Sequence, residues 1–502
     1  MTTLAQLKTW LKTPSHIRRV LIEIDNVTDL SGGNSATYYF SNGAYTSSST
    51  DTPANKNYLP YVIGGVSFTE TFSINGDLTT SYGDIELLNT DGILDSYLNL
   101  IWAKKEIRIY LGDPSWAKTD FKLLFKGMVA DISTRDRSTI NIILTDKLQA
   151  LATAISETTI TNQDSQTPQL VPLIFGECFN ITPLLTNKST LEYQVHTGTI
   201  EDIIEVRDNG APVSSFTKDL ANGKFTLNQA AYGQITCSVQ GDKSGGVYSN
   251  KIAQIIKNIV TNYGPASNRL TTSDIATNFT DFDITYSRSV GSYISDRQNI
   301  LEVCNELASS ANAKLMFTVG PLTNDSDVGK LQLAKLKANS TATYTIMGSD
   351  IEENSISLSE KIPVKAATKI AYCKNWTPQT SGLATGLPPE HVSFFNNPWL
   401  YTPDNTITAT KTNYKLTSEV IQEDTLIINK SSAVQEATER LTLWSTPRYV
   451  YTMTGYPYLF DLQLGDAVSL TNRRFNLNAK VGTVISISRD WLKGRVEIGV
   501  LV

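Results

Sequence analysis

Three histidines occur in 502 residues, His16, His196 and His391, and their neighbourhoods share nothing. None belongs to an HExxH-type pair, in which two imidazoles one helical turn apart hold zinc. No GxSxG elbow presents a serine, and no cysteine stands beside a histidine, so neither local pattern for activating a nucleophile is written. Each histidine is expected in an ordinary surface or hydrogen-bonding role. Gly320 to Gly329-Lys330 spaces its glycines too widely for a phosphate loop, and no Ser or Thr follows the lysine. Asp325 and Asp327 ahead of Gly329 match the start of a calcium loop, but the glycine at the sixth position and the closing glutamate are missing. A polar hairpin tip is expected there. Asp350, Glu352 and Glu353 read as a solvated strand start, since nothing in their spacing sets two carboxylates face to face as a glycosidase requires. Cys178, Cys237, Cys304 and Cys373 lie far apart without a CxxC pair, which predicts buried free thiols kept in a reducing cytoplasm. No catalytic, cofactor-binding or metal-ligating residue is assigned, and the chain reads as no enzyme.

The remaining clusters point to contacts. Arg18-Arg19 and Arg473-Arg474 are isolated basic pairs and form no stripe. A net charge of −6 argues against a grip on nucleic acid, which needs clustered cations to displace counterions. Phe394, Phe395, Trp399 and Tyr401 fall in Thr377–Asn405, a stretch rich in Pro, Gly and Asn that reads as a long loop. Aromatic residues there either anchor a protein partner or tuck the loop against its own domain.

The elements that must position these residues are mostly strands. Charged residues make up only 18% of the chain while Thr, Ser, Asn and Tyr are plentiful, a mix suited to strands and polar loops. A single compact core does not accommodate this length, so several domains are expected. Residues 1–14 form an amphipathic helix, with Thr3 and Gln6 as a capping box and Leu4, Leu7 and Leu11 at helical spacing. That stretch is no signal peptide, and no run approaches a membrane span. Residues 15–155 read as a first β-barrel. Its strands lie at Val20 to Ile24, Val66 to Ile74, Ile85 to Leu88, Ile107 to Leu111, Phe121 to Phe125 and Ile140 to Leu144. A loop from Ser31 to Asn57 separates the first two, and Asn75-Gly76-Asp77 is the expected turn after the second. Residues 165–248 are β-rich, with a tight turn at Asp208-Asn209-Gly210. Residues 249–345 are α+β. Ile252, Ile255, Ile256, Ile259, Val260 and Tyr263 mark one helix, and Ser295 with Gln298 caps a second carrying Ile300, Cys304, Leu307 and Ala311. Residues 346–502 form a second β-barrel, with a helix capped by Ser432 and Gln435 that turns Val434, Ala437, Leu441 and Trp444 inward. The fold class is mainly β with an α+β insertion: two related β-barrel domains separated by a smaller mixed middle region.

The relation between the two barrels is written in the letters. Leu111-Gly112-Asp113 precedes Gly127-Met128-Val129, Ile132-Ser133, Arg135-Asp136, Ile140-Asn141-Ile142 and Leu144. Leu464-Gly465-Asp466 precedes Gly482-Thr483-Val484, Ile487-Ser488, Arg489-Asp490, Val496-Glu497-Ile498 and Val500 in the same order. Each copy predicts a strand, a turn and two further strands with alternating side chains.

These features resemble the baseplate hub, or tail-tip hub, of tailed bacteriophages. The likeness rests on Gly83-Asp84-Ile85-Glu86-Leu87-Leu88-Asn89 with Asp91-Gly92, Ile107 to Asp113, Phe125-Lys126-Gly127-Met128-Val129, and Leu462 to Val468 with Gly482-Thr483-Val484. Pro172-Leu173-Ile174-Phe175-Gly176 and Val206 to Gly210 are similar to segments of long-tailed-phage tail proteins. The resemblance covers most of the chain. It implies a homotrimer whose six quasi-equivalent barrels form a ring around the DNA channel at the virion tail tip, after synthesis in the bacterial host cytoplasm. The ring would join a sixfold distal tail or tail tube protein to a threefold central spike or fibre, near the tape measure protein. No cofactor is implied. Loops Ser31–Asn57 and Thr377–Asn405 have no counterpart in that pattern. Two alternatives stand beside it: a receptor- or glycan-binding adhesin using Phe394 to Tyr401, and a peptidoglycan hydrolase with its site in the middle region.

Overall fold

The computed structural model describes residues 2–72, 78–145, 147–161, 167–416 and 420–502. Strand outweighs helix, about 40% against 19%, so the mainly β expectation holds. The expected turn Asn75-Gly76-Asp77 and the end of the strand at Ile74 lie outside the described residues. Contacts group the chain into two units, unlike the five consecutive segments expected from sequence. One unit comprises residues 1–149, 316–362 and 447–502; the other comprises 150–315 and 363–446.

The first unit holds two sheets. The first sheet contains β1 (Arg19–Asp29), β2 (Val62–Gly64), β3 (Ile85–Leu88), β4 (Glu106–Gly112), β5 (Lys122–Ser133) and β6 (Thr139–Thr145), in spatial order β1-β4-β5-β6-β3-β2. The second contains β7 (Tyr344–Met347), β8 (Ser357–Ile362), β9 (Arg448–Gly455), β10 (Ala467–Asn472), β11 (Leu477–Asp490) and β12 (Arg495–Leu501), in order β7-β10-β11-β12-β9-β8. Counted along the chain, these six strands of each sheet are wound first-fourth-fifth-sixth-third-second; the first sheet also carries strand Ser35–Ser41 outside β1 and Leu100–Ile101 at the end of β1. Both are open half-barrels. They differ at this first strand, since β1 runs antiparallel to β4 and has a further strand on its other side, whereas β7 runs parallel to β10.

The correspondence reaches single residues. In the first sheet Val129 faces Leu144, the register slips, and Asp131 faces Ile143, Ile132 faces Ile142 and Ser133 faces Asn141. In the second, Val484 faces Val500, the register slips, and Ser486 faces Gly499, Ile487 faces Ile498 and Ser488 faces Glu497. The bulge recurs at the same place, as designed features of a sheet do. Gly127 and Gly482 are also equivalent, and the reason is close cross-strand approach. A Cβ on Gly127 would stand 3.0 Å from the Thr145 carbonyl oxygen, and one on Gly482 would stand 2.6 Å from the Leu501 carbonyl oxygen.

Two parts of the sequence match are corrected. Leu111-Gly112 ends β4, whereas Leu464-Gly465-Asp466 lies before β10. The true counterpart of Gly465-Asp466 is Lys104-Lys105. Lys104 N–H donates to the Val129 carbonyl and Val129 N–H to that of Lys105, while Gly465 and Asp466 make the same pair of bonds with Val484. Both Lys104 and Gly465 have positive φ, 61° and 86°. Arg489 follows Ser488 directly and so occupies the place of Thr134, one residue short of Arg135. In a strand that slip turns the side chain to the opposite face.

Other expectations are refined. Thr3 and Gln6 form the capping box of α1 (Leu4–Leu11), which buries Leu7, Trp10 and Leu11 on its own unit. The Ser31–Asn57 loop contains a strand, Ser35–Ser41, paired with β1, and Tyr45 and Tyr58 hold the rest in a cluster with Leu21 and Phe121.

The second unit pairs Leu173–Ile181, Ile200–Asp208 and Ile235–Asp242 in one sheet, with Ile174, Ile203, Val206 and Val239 in its core. Asn209 and Gly210 have φ of 49° and 81°, as the tight turn requires. Helices α2 (Ile252–Asn262), α3 (Ile300–Ser309), α4 (Pro389–Asn396) and α5 (Lys430–Trp444) belong here. Asn299 with Glu302, not Ser295 with Gln298, caps α3, and Asn429, not Ser432, caps α5. Val434 points outward at 40% exposure; Ala433, Glu436, Ala437 and Arg440 share the buried face. The long loop Thr377–Asn405 is partly structured, since it contains α4.

Alanine at Gly127 or Gly482 must push a neighbouring strand away, at a cost of about 1–3 kcal/mol each. Denaturant titration of G127A and G482A checks this, and losses of similar size are expected because the obstructing carbonyls are equivalent.

Candidate functional site

Where the second sheet curves past its bulge, β11 outruns β10 and exposes one side. Strand Ser67–Phe72 fills that side, with Thr71 opposite Ser486, Glu70 opposite Ile487 and Phe68 opposite Arg489. A segment lying between β2 and β3 of the first sheet thus extends the second. Its alternation directs Phe68, Glu70 and Phe72 inward and Ser67, Thr69 and Thr71 outward.

Arg489 is the anchor of this seat and is fully buried. Its Nη1 donates to Glu70 Oε2 at 2.7 Å, its Nε to the Phe460 carbonyl at 3.0 Å, and its Nη2 to the Leu462 carbonyl. Every edge of the guanidinium is engaged, which is what burial of a charge demands. Beside it, Phe68 stacks at 4.6 Å from Trp491 and 4.5 Å from Phe125 between ring centroids, and Tyr82 lies 5.3 Å from Phe125. Phe125 belongs to β5 of the first sheet and Trp491 follows β11 of the second, so one aromatic cluster binds the two halves.

The outward face of the seat is a row of hydroxyls. Thr69, Thr71, Thr452, Thr454, Ser486 and Ser488 line a shallow cleft of about 270 Å³. Thr69 and Ser488 share a hydrogen bond of 2.7 Å across the strands. Glu497 is the one ionisable residue in its lining, and neither histidine nor cysteine joins it.

At the start of β10 lies a carboxylate pair. Asp461 accepts from Lys8 Nζ at 2.8 Å and from Tyr344 Oη at 3.2 Å. Asp466, from the Leu464-Gly465-Asp466 triplet, accepts the Gln463 amide at 2.8 Å. Burial, with the neighbouring Asp461 charge, pushes its carboxyl up to about 6. Lys8 lies on α1, so the N-terminal helix is tied to the second sheet here.

In the second unit His196 is fully buried. Its Nδ1 accepts the Ile174 amide at 3.1 Å, and its Nε2 lies 3.2 Å from both Asp242 Oδ1 and the Tyr263 hydroxyl. Burial raises the Asp242 carboxyl, but hydrogen bonds from His196 and Tyr263 outweigh it and leave it below its ordinary value. Both ring nitrogens are consumed, so no position remains for a serine or cysteine to surrender a proton. This is the hydrogen-bonding role expected of the histidine. His16 Nδ1 lies 3.1 Å from the Trp10 carbonyl oxygen, and His391 is exposed on α4.

The other residues singled out by sequence are dispersed. Asp325 pairs with Lys122 and Asp327 with Lys330. Asp350 accepts from Tyr458 at 2.9 Å and Glu352 from Arg495 at 2.8 Å. Arg473 and Arg474 sit in the turn between β10 and β11 and are exposed. Cys178, Cys237 and Cys304 are buried free thiols, and Cys373 is half-buried; burial pushes the Cys373 thiol up to about 12. Among the described residues no group of three or more His, Cys, Asp or Glu is arranged to hold a metal, and no helix is long and apolar enough to cross a membrane. The aromatic loop residues differ in exposure: Phe395 is buried, Phe394 and Trp399 are half-buried, and Tyr401 is exposed. Phe395 is buried under Arg207, Lys374 lies 5.3 Å from the Trp399 ring centre, and Lys369 lies 4.9 Å from that of Tyr401.

Sequence reasoning missed the buried ion networks, among them Glu23 with Lys118 and Arg108. Another is Arg489 with Glu70. A further one joins Arg288 to Glu436 and Glu439, and Arg440 to Glu436, Glu423 and the Ser309 and Ser310 carbonyls. The available signal was charge at positions of α5 that fall on its apolar side.

No protein-family model and no curated protein matches the chain. The solved structures it is similar to are phage tail proteins. The prophage MuSo2 43 kDa tail protein from Shewanella oneidensis shares 12% identity and a TM-score of 0.37, over 97% of this chain and 98% of that one. A tail protein from Neisseria meningitidis MC58 shares 8% identity and a TM-score of 0.38, over 96% of each. A chain of the virion of a native gene transfer agent particle shares 10% identity and a TM-score of 0.40, over 71% of this chain and 91% of that one. Likeness at this level does not assign a function.

Removing the Arg489 charge strands Glu70 in the core. R489M should lose about 3–5 kcal/mol of stability, and adding E70L should recover most of it; chemical denaturation of the single and double variants checks both. Asp466 gives a pH signature. Its neutral form is favoured in the fold, so its stabilising contribution is complete below about pH 4, where the unfolded carboxyl is also protonated, and is lost as pH rises through about 6. D466N should remove that decline from a melting curve measured across pH 4 to 7.

Proposed function

We propose that this chain is a structural tail component of a tailed phage: the hub at the tail tip, with no enzymatic activity of its own. Three copies form a ring whose six sheets surround the DNA channel. The observation that carries this reading is the paired strand order within one chain, repeated down to the bulge and the glycine. A threefold body meets a sixfold one equivalently only if each subunit offers two like surfaces, and closed symmetry then ends growth. A sixfold tail tube on one side and a threefold spike or fibre on the other are the partners this geometry suits, with the tape measure protein in the bore. Interfaces in such a permanent ring bury on the order of 2,000–5,000 Å². A surface with net charge of −6 lets a polyanion pass without adhering.

The sealed His196–Asp242 pair supports the non-catalytic reading over a wall hydrolase. Burial of Phe395 against its own domain supports it over a sugar-binding adhesin, since that ring has no free face for a glycan.

Electron microscopy of tail particles, with light scattering on the purified chain, tests the proposal. A ring of three copies at the distal end is the expected result. A monomer in solution with no ring in the tail overturns it, as does clearing of peptidoglycan by the pure protein or decoration of host cells by the labelled protein alone.

A further inference from the structure

We propose that the first sheet has an open strand seat along residues 131–135, at the end of β5, and that a second copy of this chain fills it. The inference rests on the ring reading and names the edge at which copies join.

The argument starts from the seat that is filled. In the second sheet, Ser486–Asp490 carry β12 on one side and strand Ser67–Phe72 on the other. By the shared register, Asp131, Ile132, Ser133, Thr134 and Arg135 stand where Ser486, Ile487, Ser488, Arg489 and Asp490 stand. On one side Asp131–Ser133 pair with β6, as their counterparts pair with β12. On the other side, among the described residues, no strand pairs with them, because β4 stops opposite Met128. The Ile132 amide is instead taken by the adjacent Asp131 carboxylate at 2.9 Å. That is a local substitute for a cross-strand carbonyl.

Burial follows the same contrast. Ile487 and Arg489 are buried beneath the added strand, whereas Ile132 is only half-buried and Thr134 is exposed. The seat contains no proline to block backbone pairing, and its charged members are Asp131 and Arg135, the latter already paired with Asp84. Thr134 replaces Arg489, so the incoming strand needs no buried carboxylate of the Glu70 kind.

The occupant follows from continuity with the interface already present. Each chain fills its own second seat with Ser67–Phe72, which joins first sheet to second within the copy. A ring of alternating sheets needs the same joint from second sheet to first between copies. Among the described residues, the first sheet has no strand at that register, where the second sheet has one. Three internal joints and three between copies close the ring, as a body that must stop growing requires.

Hydrogen exchange of the purified full-length chain, read at the amides of 131–135, and the variant T134P test the assignment. Thr134 is exposed and lies beyond the end of β5, and among the described residues no strand pairs with it, so proline there should spare the fold. The expected results are slow exchange at these amides in the oligomer, and T134P found as a monomer by light scattering with an unchanged melting temperature. A wild-type trimer with fast-exchanging 131–135 amides overturns the seat and leaves the ring standing, as does a T134P trimer. Protection that appears only on adding a different tail protein also overturns it. A monomeric wild type removes ring and seat together. Should T134P fail to fold, exchange on the wild-type protein decides alone.

Discussion

A buried guanidinium permits no slack, and Arg489 sets that condition on the first unit. Each of its donor directions is met by a different piece of chain: Glu70 from the strand laid on β11, and the Phe460 and Leu462 carbonyls from the turn before β10. Moving any one of these segments leaves a charge or a carbonyl unpaired in the core, where the penalty is several kcal/mol. The strand that carries Glu70 also carries Phe68 into the aromatic cluster, so the same constraint that fixes the second sheet holds the first sheet to it.

This arrangement makes rigidity the property under selection in the geometry. A joint built from backbone pairing alone can slip by two residues and keep its alternation. A joint with one buried ion pair and a stacked Phe68–Trp491 contact has only one register. The hydroxyl face on the outside of the seat is the complement: a row of Thr and Ser hydroxyls with Glu497 beside it.

Much of this was legible in the letters. The period-2 runs located most of the strands, the capping box located α1, and the Gly127/Gly482 hairpins declared the duplication, because glycine is needed where two strands approach within contact of a carbonyl. The same pattern misled at its ends. Leu-Gly-Asp occurs twice by coincidence at opposite ends of equivalent strands, and Arg-Asp recurs one residue out of step. Letters record residue type, while a strand distinguishes faces, so a shift of one exchanges the buried Arg489 for the exposed Arg135. Helix caps were misplaced by a few residues for a related reason: Asn299 and Asn429 compete with nearby serines that cap equally well in isolation.

What the sequence determined unaided is local: the alternation of strands, the turns that need glycine or asparagine, the absence of a catalytic pattern, and the existence of two related halves. Those follow from short-range sterics and from the segregation of apolar side chains, both of which act over a few residues. Which strand crosses from one half to the other, that Glu70 meets Arg489 across more than four hundred residues, and that His196 spends both nitrogens on its own core, were decided only in three dimensions. Burial removes water as an alternative partner, and only then does each polar group's choice depend on what the rest of the chain has brought beside it.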